Sequence, residues 1–477
     1  MTLRFDPGQL DTFKTEIRTI PGYPSGEDLP IKEMVFESNA LSRLPELLSS
    51  AGVKPDGHIL VVMDRTPMQR EGKLLKELIL QILRDAGWQT EVVWLEPDHT
   101  GQVHTDFTQI NFVKAHLQAN SAVLSVGSGT VTDIAKHSCY VFQQEQNTTQ
   151  PLPFVVYQTA NSVSAYTSNM APTFVDGVKR TLPSRYPDVL ICDLETLRDA
   201  PRSMTVAGVG DLLAAFGSYA DWWLAHRLGL DDTYTEFAQM LMGPLDEIFL
   251  EQSQGLQDGT LESTAVLAKL IALGGLAMSL SHATAPMSGY EHVISHVLDL
   301  VAEQKRRPLA QHGTQVSLTT LLTTGAYQRF FEEFEPEEVN LQNCYPTEAQ
   351  MKERVEQAFS ALDPTGRVAA ECWSDYKMKL EAWHAHRADF EEALHDWPAI
   401  RSHLQSLVKT PQVAANILHS ISAPLTFADL TPPPTESEVQ FAFRSAPLIR
   451  HRFTLGDLLL FLNWDQETLW AQVNKTF

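Results

Sequence analysis

The sequence predicts an α/β half built on an open parallel sheet, followed by an all-helical half. Three observations carry that expectation. Up to about residue 193, short β-branched and aliphatic runs alternate with amphipathic helical stretches, the pattern of parallel strands joined by crossover helices. A glycine turn in "SVGSGTVTDIAKH" (125–137) follows one such run and opens a helical one. From about residue 200 the strand patterns stop, and long helical periodicities take over.

Taken in order, His58-Ile-Leu-Val-Val-Met-Asp64 is an apolar run ending in an acid, as a buried parallel strand reads. Leu74, Leu75, Leu78, Ile79, Ile82 and Leu83 fall at helical spacing over 72–86, and Gly87 reads as the helix stop. A strand over 90–95, a helix over 107–118 and a strand over 122–126 follow. The glycine turn then leads into a helix from about residue 131 with Thr130 or Thr132 near its cap. Further strands are expected at 153–157, before Thr159-Ala160-Asn161-Ser162, and at 189–193. The boundary is expected at Asp199-Ala200-Pro201-Arg202, giving domains 1–200 and 201–477. Helical patterns then cover 205–229, 233–256, 262–282, 289–305, 312–333 and 348–409. The Pro-rich 428–438 reads as a loop before two short helices.

A chain of 477 residues has ample length for a substantial core. Its net charge of −23 argues against a nucleic-acid partner, which needs a basic face. One local basic pocket for a small anion remains compatible with that charge. Cys139, Cys192, Cys344 and Cys372 lie far apart, so neither a disulfide framework nor a zinc ribbon is expected. The charged N-terminus lacks the apolar core of a signal peptide. No uninterrupted apolar run reaches the roughly 18 residues of a membrane span. The expected location is a reducing cytoplasm.

Several residues could do chemistry. The turn Gly127-Ser128-Gly129 opens a helix, where backbone N–H groups and the helix dipole favour phosphate. It is neither G-x-G-x-x-G nor a P-loop, and a plain tight connection is the alternative. Asp211 follows Gly208 and Gly210 and reads as a helix start. His292 and His296 are four apart on one helix face, and His312 opens another helix beside a glycine. A carboxylate with imidazoles suits a divalent metal with an open position. Among 16 histidines, though, an i, i+4 pair also arises by chance. Lys179, Arg180 and Arg185 lie between the turn signals Asp176-Gly177 and Pro187. That cluster suits an anionic substrate, or equally a surface loop.

Together, "LSVGSGTVTDIAK", "PFVVYQTANSVSAYTSNMAPTFVDGVKRTLPSRYPDVLICDLETLRDAP", "AGVGDLLAAFGSYADWWLAHRLG", "PMSGYEHVISH" and "HGTQVSLTTLL" resemble the sn-glycerol-1-phosphate dehydrogenases. These form a branch of the superfamily that also holds iron-containing alcohol dehydrogenases, glycerol dehydrogenases and dehydroquinate synthases. The resemblance runs through most of the chain from about residue 40. It implies a dehydroquinate synthase-like fold, with a Rossmann-like N-terminal domain for NAD or NADP and an all-α C-terminal domain holding one divalent metal. Zinc is the first expectation, nickel and iron the alternatives.

The resemblance implies that Gly127, Ser128, Gly129, Thr130 and Asp133 serve the pyrophosphate and nicotinamide turn, with Thr159 and Ser162 in a second cofactor loop. It implies Asp64 at the adenosine ribose, where a carboxylate accepts from a 2′-hydroxyl and repels a 2′-phosphate, so NAD is favoured. It implies Asp211, His292 and His312 as metal ligands, and His296 as a proton-handling histidine. Where the family pattern has Asp-Gly, this chain reads Ser164-Ala165. A serine there can hydrogen-bond a hydroxyl but supplies no charge. Lys179 and Arg180 are expected to attract the substrate phosphate.

The implied reaction interconverts dihydroxyacetone phosphate and sn-glycerol 1-phosphate, or a related polyol phosphate. The alternatives are a dehydroquinate synthase-like, phosphate-eliminating lyase with transient NAD redox, and a non-catalytic ligand-binding relative. The partner is a small phosphorylated ketone or polyol, with no nucleic acid and no membrane span. A homo-oligomer is compatible with the sequence.

Overall fold

The computed structural model describes residues 3–474 apart from 56, 71, 148–150 and 176. Ten strands occur among the described residues, in chain order: β1 (Glu33–Glu37), β2 (His58–Asp64), β3 (Gln69–Arg70), β4 (Lys73–Leu74), β5 (Gln89–Leu95), β6 (Ser121–Gly127), β7 (Phe154–Gln158), β8 (Met170–Val175), β9 (Val178–Pro183) and β10 (Val189–Asp193). Six of them form one sheet in the order β1-β10-β7-β6-β2-β5. Every pairing in it is parallel. Each of β6, β7 and β10 is buried along its whole length, as expected of strands covered on both faces. β3–β4 and β8–β9 are separate two-stranded pairs.

The chain builds β5 on one side of β2, then places β6 on the other. The direction of winding therefore reverses between β2 and β6, the point where open parallel sheets bind ligands beyond their carboxyl ends. Register pairs Met63 with Val126 there, so Asp64 and Gly127 are the next residues on two adjacent strands.

Contacts divide the chain into two compact units. One comprises 1–175, 180–212 and 240–280, and the other 176–179, 213–239 and 281–477. The expected boundary near residue 200 falls inside the 180–212 segment of the first unit, and the chain passes between the units at several other points. Helix Leu261–Leu280 belongs to the first unit, where it packs against helix Arg202–Leu212 and β1. Length and composition alone would let it cross a membrane, yet 78% of its apolar window is buried. The second unit is helical around a large aromatic core, in which Trp383 stacks on Phe461 with ring centroids 4.6 Å apart.

Three expected helical stretches are broken. The pattern over 205–229 divides into Arg202–Leu212 and Ala215–Arg227, that over 233–256 into Phe237–Met242 and Leu245–Asp258, and that over 348–409 into Glu348–Ser360, Arg367–Ala385, Arg387–His395 and Trp397–Leu407. In the second case Gly243, at φ 68°, and Pro244 interrupt the helix. The first forty residues contribute helix Leu10–Ile17 and strand β1.

Candidate active site

In the first unit, β6 ends at Gly127 and an 18-residue helix, Gly129–Gln146, begins two residues later with Ser128 at its N-cap. The helix starts earlier than its sequence pattern indicates and draws Thr130 and Thr132 into its first turn. Both glycines are sterically required. A Cβ on Gly127 would lie 2.5 Å from the Val131 side chain, and one on Gly129 would lie 2.3 Å from Val163 Cγ2. Without side chains there, backbone N–H groups can approach a bound anion closely.

The segment after β7 closes on this turn: the Thr159 amide donates to the Gly127 carbonyl at 3.1 Å. The hydroxyls of Thr132 and Thr159 are buried and meet no hydrogen-bond partner among the described residues. Buried hydroxyls ordinarily have one, so this corner fits a cofactor bearing phosphate and hydroxyl groups. Ser162 is also buried, with its hydroxyl 3.3 Å from the Tyr166 hydroxyl.

Asp133 lies one turn into the helix and pairs with fully buried Lys136 at 2.8 Å. Lys136 also donates to the Ala165 carbonyl at 2.9 Å, so one lysine ties the helix to the 159–166 loop. The next residue down that loop, Ser164, holds Asp211. Its amide and hydroxyl both donate to Asp211 Oδ2, at 3.0 and 3.1 Å. Asp211 sits at the end of helix Arg202–Leu212, not at a helix start as its two preceding glycines imply. Gly208 serves close packing, since a Cβ there would come within 2.3 Å of the Asn161 carbonyl oxygen. Asp64 ends β2, and its Oδ1 accepts from Lys76 Nζ at 2.5 Å.

The second unit brings the three histidines together. His292 and His296 lie in helix Tyr290–Gln304, and His312 is the first residue of helix His312–Glu333. The His292 and His312 ring centroids are 5.2 Å apart, and His296 stacks on His312 at 5.7 Å. Burial, then the nearby positive groups, holds His296 and His312 well below the ordinary imidazole range. For His296 the largest charge effect comes from Arg450, then Lys179; for His312 it comes from Lys179. Neutral imidazoles keep a lone pair for a metal, and His296 Nδ1 is buried with no hydrogen-bond partner among the described residues. The imidazole nitrogens of His292 and His312 fit a divalent cation, with His296 beside them.

Behind these rings, fully buried Glu291 accepts from the Gly289 amide at 2.6 Å and lies 3.0 Å from His292 Nδ1 through the same oxygen. A carboxylate at Nδ1 fixes that nitrogen as the protonated one and leaves Nε2 as the ligand atom. Asp221 accepts from the Tyr327 hydroxyl and the Tyr290 and Leu455 amides. Burial first, and the Glu291 charge second, raise its carboxyl to about 7.

Lys179 and Arg180 are neighbours on β9, so their side chains leave opposite faces of the strand. Lys179 pairs with buried Asp299 at 3.3 Å, and Arg450 donates to the Lys179 carbonyl at 2.7 Å. Asp176, in the expected turn, lies outside the described residues, and Gly177 after it has φ 79°. Arg450, Lys136, Lys76 and Glu291 escaped the sequence reading. Only Glu291 carried a local signal, an acid directly before a candidate ligand.

Residues 35–201 match the family model of iron-containing alcohol dehydrogenases. A glycerol-1-phosphate dehydrogenase [NAD(P)+] of Bacillus subtilis is 30% identical over 346 residues, covering 72% of this chain and 82% of that protein. Among solved structures, a 1,3-propanediol oxidoreductase superposes with a TM-score of 0.56 at 16% identity, covering 93% of this chain and 97% of the other. A probable glycerol dehydrogenase from Sinorhizobium meliloti gives a TM-score of 0.53 at 14% identity, with the same coverage of both chains. At those identities the two structures show the shared fold. The chain belongs to the iron-containing alcohol dehydrogenase family, within its glycerol-1-phosphate dehydrogenase branch.

Proposed function

We propose that this NAD(P)-dependent oxidoreductase interconverts dihydroxyacetone phosphate and sn-glycerol 1-phosphate, with Asp211, His292 and His312 holding one divalent metal ion. The observation that carries the reading is the histidine cluster beside Lys179 and Arg450, in which His296 and His312 are held well below the ordinary imidazole range. It combines metal donors with cations suited to a phosphorylated substrate. The family relationship supports the same reading, through a relative whose name specifies glycerol 1-phosphate and NAD(P)+.

When bound, a divalent metal supplies Lewis acidity to a substrate carbonyl or hydroxyl oxygen, and a nicotinamide supplies or accepts the hydride. The chain's own residues do the rest. Gly127, Ser128 and Gly129 offer backbone N–H groups to the pyrophosphate, with Thr130, Thr159 and Ser162 lining the same corner. Lys136 keeps Asp133 and the 159–166 loop in one arrangement. Ser164 orients Asp211, and Glu291 orients His292. His296 enters the oxidative direction neutral, takes up the proton that leaves the substrate hydroxyl, and returns it during reduction. Lys179, with Arg450 behind it, attracts the phosphate; Arg180, on the other face of β9, guides anions from outside.

Product chirality tests the proposal. Dihydroxyacetone phosphate reduced by this protein should yield glycerol phosphate that a stereospecific sn-glycerol-3-phosphate dehydrogenase fails to oxidise. A product fully oxidised by that enzyme would refute it.

A further inference from the structure

The acid expected at the adenosine ribose is already engaged. Asp64 ends β2, and Lys76, in the first turn of helix Leu75–Asp85, reaches back to it. Lys76 Nζ donates to Asp64 Oδ1 and to the Asp64 carbonyl, both at 2.5 Å, and to the Thr66 carbonyl at 2.8 Å. Its three donor hydrogens are thereby used. The second carboxylate oxygen of Asp64 accepts from the Thr66 hydroxyl at 2.5 Å. Both charged side chains are largely shielded from solvent, at 9% exposure for Lys76 and 17% for Asp64. Next along the chain, Arg65 is neutralised by Glu96 and lies over the Trp94 ring.

A bare carboxylate at this place repels a 2′-phosphate. Here the ion pair leaves the corner with no net charge, while Asp64 retains lone pairs for a 2′-hydroxyl. We propose that Lys76 sets the cofactor range of this chain: by neutralising Asp64 it removes the barrier to NADPH and lets both nicotinamide cofactors bind. The inference rests on Asp64 standing at the adenosine ribose. With its donors committed to Asp64 and Thr66, Lys76 acts through the carboxylate and is a positioning residue. This modifies the expectation drawn from Asp64 alone, which favours NAD.

The test is titration of intrinsic fluorescence with NADH and with NADPH, on the wild type and three variants. Wild type should bind the two cofactors with Kd values within about tenfold of each other. Lys76→Met should weaken NADPH by about tenfold or more while changing NADH less than about threefold. Lys76→Arg should keep the wild-type ratio. Asp64→Asn, which leaves the lysine charge unopposed, should move the ratio towards NADPH by about tenfold. Equal weakening of both cofactors in Lys76→Met would overturn the assignment. If Lys76→Met does not fold, an unchanged ratio in Asp64→Asn, with either Kd altered, overturns it instead. Both Kd values unchanged in Asp64→Asn would show that the acid does not face the cofactor, so the reading of the corner itself fails.

Discussion

Ser164 donates twice to one oxygen of Asp211, through its amide at 3.0 Å and its hydroxyl at 3.1 Å. The serine that replaces the family's aspartate is therefore committed to holding a proposed metal ligand. A hydrogen bond to a charged group contributes about 1.5–3 kcal/mol, and groups that orient metal ligands affect metal affinity about 10- to 100-fold. Ser164→Ala keeps the amide bond and loses the hydroxyl. It should raise the metal dissociation constant by about tenfold in chelator competition while leaving NADH affinity unchanged. Unchanged metal affinity would show that the hydroxyl bond is dispensable.

Gly129 has no room for a side chain, because its Cβ would meet Val163 Cγ2 at 2.3 Å. Gly129→Ala must displace either the helix start or the loop carrying Asn161 to Ala165. Overpacking of this kind costs about 1–3 kcal/mol. The variant should melt several degrees lower and bind NADH more weakly. Val163→Ala, added as a second change, should restore both properties. Failure of that rescue would mean that the backbone conformation, not the contact, requires glycine.

Much of this site is legible in the sequence, and the exceptions have physical causes. The strand–helix alternation and the glycine turn are local patterns, and the sheet follows them from β2 to β10. Strand β1 is five residues long with a glutamate at each end, too short and too charged for alternation to reveal. Gly208 and Gly210 read as helix punctuation, yet the helix runs through them, because Gly208 is needed where the loop carbonyl of Asn161 touches it. Lys76 resembles a solvated helix residue until its Asp64 partner, twelve positions earlier, is seen. Arg450 meets Lys179 from 271 residues away, and no sequence window contains both.

His296 carries a pH signature. Its folded-state pKa lies well below the ordinary 6.5, first because it is buried and then because Arg450 and Lys179 repel its proton. Below about pH 6.5 the unfolded chain therefore binds a proton that the folded chain refuses, and stability falls as pH drops. In the metal-free protein, His296→Gln should remove this contribution. The Tm advantage of wild type over the variant should be greatest near pH 8 and shrink towards pH 5. A difference constant over that range would show that the imidazole is freely protonated in the fold.

Lys179 is the cation proposed for the substrate phosphate, and it is held by Asp299 at 3.3 Å. Lys179→Ala should raise KM for dihydroxyacetone phosphate by about tenfold or more, as expected for loss of a charge-assisted contact. Turnover of unphosphorylated dihydroxyacetone should change little. An unchanged KM for the phosphorylated ketone would remove Lys179 from the substrate site.

The central claim, metal-dependent reduction of a phosphorylated ketone, is tested most directly by NADH absorbance with three forms of the protein: as purified, metal-stripped, and reloaded with zinc, nickel or iron(II). NADH should be oxidised rapidly with dihydroxyacetone phosphate and much more slowly with dihydroxyacetone, with loss on stripping and recovery on reloading. Full activity in the stripped protein would contradict the metal assignment. NADH binding without oxidation by the phosphorylated ketone, in every reloaded form, would contradict the proposed reaction itself.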